Sequence, residues 1–216
     1  MRWQLLDGGE LELLDDFVAA TERDALFAEL ESVIAWQRRS IRSFGRWIAE
    51  PRATAWIGDP DAVYTYSGRV NEPTPWPAVL RALCDRVSEC AGQPFNSVLC
   101  NLYANGQDSM GLHSDSEPEL GENPVIASLS LGATRRFQLR HRKLAQERLD
   151  VELSAGSLLI MRGTLQTHYR HGVPKQTGVL TGRINLTFRR IVAVAGRAGR
   201  AGRAGRAGRV GRVAPR

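Results

Sequence analysis

The sequence predicts a mainly β, α+β domain: a β-sandwich or jelly roll with helices packed outside it. Three observations carry this. Helical periodicity is confined to the first ninety residues, short strand-like runs separated by turn residues fill the chain from Phe95 onward, and several runs alternate with period two. The length of 216 residues suits one domain with a real core. Hydrophobic content of 43% and charged content of 24% are those of an ordinary globular protein.

The elements follow in order. The opening MRWQLLDGGE has no apolar h-region, so no secretory leader is expected, and no apolar run is long enough to span a bilayer. Thr21 with Asp24 predicts a capping-box start, followed by Leu26, Phe27, Leu30, Val33 and Ile34 at helical spacing. A second helix is expected over Pro77–Cys90, with Pro in its first turn and Val79, Leu80, Leu83 and Val87 on one face. Between the helices, 38–71 holds glycines and aromatics that read as short strands and turns. Trp36, Trp47, Trp56 and Trp76 are expected to pack rather than function. Three cysteines, Cys84, Cys90 and Cys100, are too few and odd in number for a disulfide framework. They fit reduced thiols of a cytosolic-type compartment, with Cys84 and Cys90 inert on the second helix.

The runs FNSVLCNLY, VIASLSL, RRFQLRH, SLLIMRG, THYRHGV and RINLTFRR are the expected strands. In the last, Ile184, Leu186 and Phe188 fall on one face and Arg183, Asn185, Thr187 and Arg189 on the other. The ordinary reading of such a pattern is a solvated polar face. The sharper one is a pocket for an organic acid, because guanidinium grips carboxylate bidentately. In FNSVLCNLY, Leu99, Asn101 and Tyr103 share a face opposite Val98, Cys100 and Leu102.

The net charge of +6 sits at one end. The stretch AGRAGRAGRAGRAGRVGRVAPR, 195–216, holds seven arginines and no acid, so residues 1–194 carry −1. A repeat with Gly at every third position buries no core and is expected to be disordered. It is either a low-complexity expansion or an arm that neutralises phosphates. The domain is therefore expected over 1–194.

GLHSDSEPE, from Gly111 to Glu119, places His113 and Asp115 one residue apart and Glu117 two further on. The pattern is weak unless a third ligand converges. With four histidines the choice is short. His141, in LRHRK, is expected at the surface. His168 and His171 are three apart, so on a strand they point to opposite faces and at most one joins His113 and Asp115. Two imidazoles and one carboxylate bind one face of an octahedral Fe(II) and leave positions open. Zinc takes the same ligands on chemistry alone.

NLYANGQDSMGLHSDSEPELG, PVIASLSLGATRRFQLR, GSLLIM, HYRHGVPK and RINLTFRR, in that order, resemble the AlkB family of 2-oxoglutarate/Fe(II) dioxygenases, closest to its duplex DNA-repair branch. FGRWIAEPR, YTYSG and PWPAVL extend the resemblance over about residues 35–191. It implies a double-stranded β-helix (jelly roll) core over 95–191 with flanking N-terminal helices. It implies Fe(II) on His113, Asp115 and His171, with 2-oxoglutarate and O2 as cosubstrates. Asn101 and Arg189 would lie at the C1 carboxylate of 2-oxoglutarate and Arg183, helped by Tyr103, at the C5 carboxylate, with Asn185 lining the same pocket. Tyr66 would stack on a flipped base, Glu117 would meet its edge, and Phe44 matches the region of a wedge residue. The implied activity is oxidative demethylation of N-alkylated bases in DNA, of the 1-methyladenine and 3-methylcytosine type. The implied protein is a monomer without membrane contact, cytoplasmic and nucleoid-associated in a bacterium, nuclear in a eukaryote. The alternatives are a dioxygenase acting on methylated RNA or protein, and a silent jelly-roll nucleic-acid-binding module. Tyr at the stacking position and the Arg-rich tail depart from the family pattern.

Overall fold

The computed structural model describes residues 1–38, 50–63 and 72–192 in full, and the backbone of 40–43, 46–49, 64–66 and 69–71. Phe44, the side chain of Tyr66 and the stretch 195–216 lie outside the described residues. In chain order the elements are β1 (Arg2–Gln4), β2 (Gly9–Leu14), α1 (Arg23–Val33), β3 (Ser40–Ser43), β4 (Arg46–Ala49), β5 (Ala53–Gly58), β6 (Tyr64–Tyr66) and β7 (Arg69–Asn71). Then come α2 (Ala78–Ala91), β8 (Ser97–Tyr103), β9 (Met110–His113), β10 (Ile126–Gly132), β11 (Arg135–His141), β12 (Arg148–Leu153), β13 (Leu158–Gly163), α3 (Leu165–His168), β14 (Tyr169–Val173) and β15 (Arg183–Arg189).

Two antiparallel sheets form the body. The larger has the order β1-β2-β13-β10-β15-β8-β5 and the smaller β12-β11-β14-β9. The larger sheet is covered on both faces. One face, through Ile184, Leu186, Phe188, Leu129 and Val98, packs against α1 and α2. The other, through Leu159, Met161 and Tyr103, packs against Phe137, Leu139 and Val151 of the smaller sheet. This is a jelly roll with the helices outside it. Every residue of β15 is buried, so its polar face is not solvated but turned inward between the sheets.

Some expected boundaries move. The helix α1 begins at Arg23, with Glu22 at its cap already in a helical conformation and no side-chain bond there. Thr21 therefore lies one residue too early to cap, and the expected capping box does not form. Val33 is 45% exposed, and Leu30 and Ile34 carry the buried stripe instead. Pro77 caps α2 rather than entering its first turn. The segment Arg2–Leu14 is not a mere lead-in: β2 pairs with β13, from Gly9 against Gly163 to Leu14 against Leu158. Trp36, Trp56 and Trp76 donate their indole N–H groups to Glu31 O, Ala62 O and Asp59 Oδ1, as packing residues do.

Candidate active site

The two sheets bring the expected residues together from opposite sides. On the larger sheet β15 and β8 are neighbours, with Arg183 opposite Tyr103 and Asn185 opposite Asn101. On the smaller sheet His171 of β14 pairs directly with His113 of β9. Asp115 follows β9 on a loop. One pocket is lined by His113, Asp115 and His171 together with Asn101, Arg183, Asn185 and Arg189. Tyr103 lies beneath, 1% exposed, with the Arg183 and Arg135 guanidinium groups 5.2 and 5.5 Å from its ring centroid.

The metal-binding potential can be judged from ring nitrogens. His113 Nδ1 lies 3.0 Å from Gly111 O, so it holds the proton and leaves the Nε2 lone pair free. That Nε2 is 3.7 Å from Asp115 Oδ1. The His171 ring is buried, lies 4.4 Å from the His113 ring and stacks on Phe137 at 5.4 Å. Its Nδ1 has no hydrogen-bond partner among the described residues. Burial, then the nearness of the His113 ring and the Arg189 guanidinium, push its pKa down to about 3 against the pull of Asp115, so it is a neutral imidazole at pH 7. Burial raises the Asp115 carboxyl, but Arg189, His171 and His113 outweigh it and hold the group at about 2. One donor atom from each residue lies within 4.8 Å of the others. A ring nitrogen from each histidine and an ionised carboxylate fit a divalent iron.

The same test rejects a second group, Asp7, His141 and His168, whose donor atoms also converge. His141 is not at the surface as its basic neighbours suggested. It is 8% exposed, packed edge-on against Tyr169. Its Nδ1 accepts the backbone N–H groups of Leu144 (3.0 Å) and Lys143 (3.3 Å). The proton must then sit on Nε2, which donates to Asp7 Oδ2 at 2.9 Å. A metal there would need that nitrogen's lone pair. His168 ends α3 rather than lying on a strand, and its Nδ1 is 3.6 Å from the same Asp7 oxygen. The group is a clasp tying the N-terminal turn to the smaller sheet.

The pocket's other end is cationic. Arg183 is 1% exposed; its Nη2 donates to Ser130 Oγ at 2.9 Å, while its Nε and Nη1 have no partner among the described residues. Burial lowers its pKa to about 10, Arg135 adding and Tyr103 opposing, so it remains charged at neutral pH. A buried guanidinium without a counter-ion is costly, and a ligand carboxylate removes the cost. Arg52 donates to Asn101 Oδ1 at 2.7 Å, which leaves the Asn101 amide N–H groups as donors for such a ligand. Asn185 donates to Ser128 Oγ and Leu129 O and accepts from Thr187. Arg189 is committed to Asp115, its Nη2 2.9 Å from both carboxylate oxygens.

Sequence reasoning missed three supports. Gln166 Oε1 accepts the Asp115 N–H at 3.0 Å, Arg52 orients Asn101, and Arg135 donates to Asn105 O, Asp108 O and Pro174 O, tying two loops beside Tyr103. Each acts across a large sequence separation, so no local pattern marks it. Glu117 caps the short 3-10 turn Pro118–Leu120, and one of its carboxylate oxygens is buried without a partner among the described residues.

The family model of the 2OG-Fe(II) oxygenase superfamily matches residues 10–189. The chain is 42% identical over 188 residues to the alpha-ketoglutarate-dependent dioxygenase alkB homolog 3 of Homo sapiens, covering 83% of this chain and 65% of that protein. It is 42% identical over 186 residues to the DNA oxidative demethylase ALKBH2 of Bos taurus, covering 82% and 67%. The solved structure of OsALKBH1 superposes with a TM-score of 0.56 at 19% identity, over 83% of this chain and 97% of that one, and supports the fold. These matches and the sheets around the pocket define a class, the 2OG-Fe(II) oxygenases, to which the chain belongs, as a member of the AlkB family. Membership implies Fe(II), 2-oxoglutarate and O2. The chain spans about two thirds of the length of these curated relatives.

Proposed function

We propose that the protein is an oxidative demethylase of N-alkylated bases in DNA. The observation that carries the proposal is the pairing, in one pocket, of a two-histidine, one-carboxylate group with a buried arginine that lacks a counter-ion among the described residues. His113, Asp115 and His171 hold the iron. Arg183 binds the far carboxylate of 2-oxoglutarate, with Tyr103 beneath it and Asn185 bracing the wall. Asn101 donates to the near carboxylate. Arg189 keeps Asp115 ionised and fixed in orientation, and lies at the same end. When bound, iron with 2-oxoglutarate and O2 supplies the oxidation that turns an N-methyl group into a hydroxymethyl group, which leaves as formaldehyde.

The residues of this chain supply position and dryness. Leu99, Met110, Met161 and Val173 line the pocket with apolar surface. A base in a duplex does not reach a site between two sheets, so it is flipped out. Tyr66 and Glu117 are assigned to the base and Phe44 to the gap it leaves. The names of relatives, DNA oxidative demethylase among them, support DNA as substrate. The protein acts as a monomer wherever DNA is, the nucleoid or the nucleus. No helix among the described residues is long and apolar enough to cross a membrane.

The test is product analysis on methylated and etheno-modified oligomers, DNA and RNA, single- and double-stranded, with Fe(II) and 2-oxoglutarate. Restored base with equimolar succinate and formaldehyde from methylated DNA is expected. Succinate formation that no methylated DNA stimulates overturns the proposal.

A further inference from the structure

The outer face of the smaller sheet carries arginines in cross-strand register. Arg140 of β11 lies opposite Arg148 of β12 on one side and Arg170 of β14 on the other. Directly opposed residues of an antiparallel pair share a face. Here that face is the outside, since Arg148 and Arg170 are exposed while Tyr169 and His171 beside them are buried. Like charges placed opposite one another are destabilising. Only Arg140 is compensated. Its Nη1 lies 2.5 Å from Asp150 Oδ1 and donates to the carbonyls of Leu139 and Leu149. The side chains of Arg148 and Arg170 form no hydrogen bond or ion pair among the described residues.

The row lies on the reverse of the strand that carries His171, and Arg142 links it to the loop that holds the other ligands. Arg142, two residues beyond Arg140, donates to Ser114 Oγ between His113 and Asp115. Arg170 precedes His171 on the opposite face of the same strand. Neighbouring strands are ~4.8 Å apart, so three positions in register span about 10 Å. Successive phosphates of one nucleic-acid strand lie farther apart than their ~3.4 Å axial rise, so a row of that length meets roughly two of them.

We propose that Arg140, Arg148 and Arg170 form a phosphate track that holds the nucleic-acid backbone flanking the base in the pocket. The proposal rests on the nucleic-acid reading given above and adds which surface grips the substrate and how. Contact is to backbone, so it is independent of sequence and steeply dependent on salt.

The test is the affinity of the full chain for a fluorescent oligonucleotide containing 1-methyladenine, measured by anisotropy across a salt series. Arg148→Gln with Arg170→Gln removes two phosphate contacts. The slope of log K against log salt is then shallower by about 1.4 on single strands and about 1.8 on duplex. Arg148→Lys with Arg170→Lys keeps the charge and the parental slope. Arg2→Gln with Arg86→Gln, on other surfaces, also keeps it. A parental slope in the Gln pair, or an equal loss in the Arg2/Arg86 pair, overturns the track and leaves the demethylase reading standing. A parent protein that binds no oligonucleotide at any salt overturns both.

Discussion

His113 and His141 each sit beside a carboxylate, and what separates them is the nitrogen already engaged. Gly111 O accepts a hydrogen bond from the Nδ1–H of His113 on the far side, whereas backbone N–H groups force the proton of His141 toward Asp7. Replacing His113, Asp115 or His171 by Ala is therefore expected to abolish iron retention and turnover together. His141→Ala and His168→Ala should keep the iron, with His141→Ala losing about 1–3 kcal/mol of stability for its broken buried hydrogen bonds. Metal content and thermal denaturation of the five variants check this. Iron lost by His168→Ala and kept by His171→Ala would reverse the assignment. Arg183→Lys tests the other end of the pocket. An ammonium does not reproduce the guanidinium fork and would leave Ser130 short of its donor. A hydrogen bond to a charged group contributes about 1.5–3 kcal/mol, so KM for 2-oxoglutarate should rise by roughly tenfold or more. Cosubstrate titration at saturating oligonucleotide measures it, and an unchanged KM would place the carboxylate elsewhere.

Among elements, β15 was legible because period two survives in a strand buried on both faces: apolar residues went to the helices and polar ones to the pocket. The helix α2 was legible for a similar reason, with Leu80, Leu83, Cys84 and Val87 forming one buried stripe. The strands β1 and β2 were not, because RWQ and GELELL gain their meaning only from a partner near residue 160. His141 misled for the same reason: its basic neighbours are adjacent in sequence, while the Asp7 that buries it is 134 residues away. Thr21 misled because a cap depends on one residue of register. The contact between β9 and β14 gives a sharper test. A Cβ on Gly172 would stand 2.8 Å from Met110 O and 3.0 Å from Gly111 O, so the strands must part. Gly172→Ala is expected to shift His113 away from His171 and weaken iron retention by tenfold or more while the protein stays folded, as metal titration and circular dichroism would show. The thiols test α2 and β8. Burial pushes Cys84 up to about 11 and raises Cys100 further, while Cys90 is exposed. A thiol reagent should label Cys90 alone in the native protein and all three cysteines in urea.

For the whole molecule, charge is divided between a body of −1 and a tail of +7. Deleting 195–216 is expected to weaken binding to every nucleic-acid sequence alike and to leave the ratio of rates on different lesions unchanged, because the lesion is chosen inside the pocket. If all seven arginines met duplex phosphates the salt slope would fall by about 6, and partial engagement gives less. Affinity against salt for the full-length and truncated proteins measures it, and identical slopes would remove the tail from recognition. The sheet order has a consequence in time. Leu14 must wait for Leu158, and Asp115 for Arg189, before either finds its partner. A ribosome adding ~5–20 residues per second leaves β2 without its neighbour for roughly seven to thirty seconds. His113 and Asp115 emerge in the last third of that interval and His171 and Arg189 after its end, so the nascent chain carries half a metal site until β14 is made. A complete set of the three ligands therefore exists only on a chain that already carries β2, β10 and β13, while Arg189, which fixes Asp115, comes later still with β15.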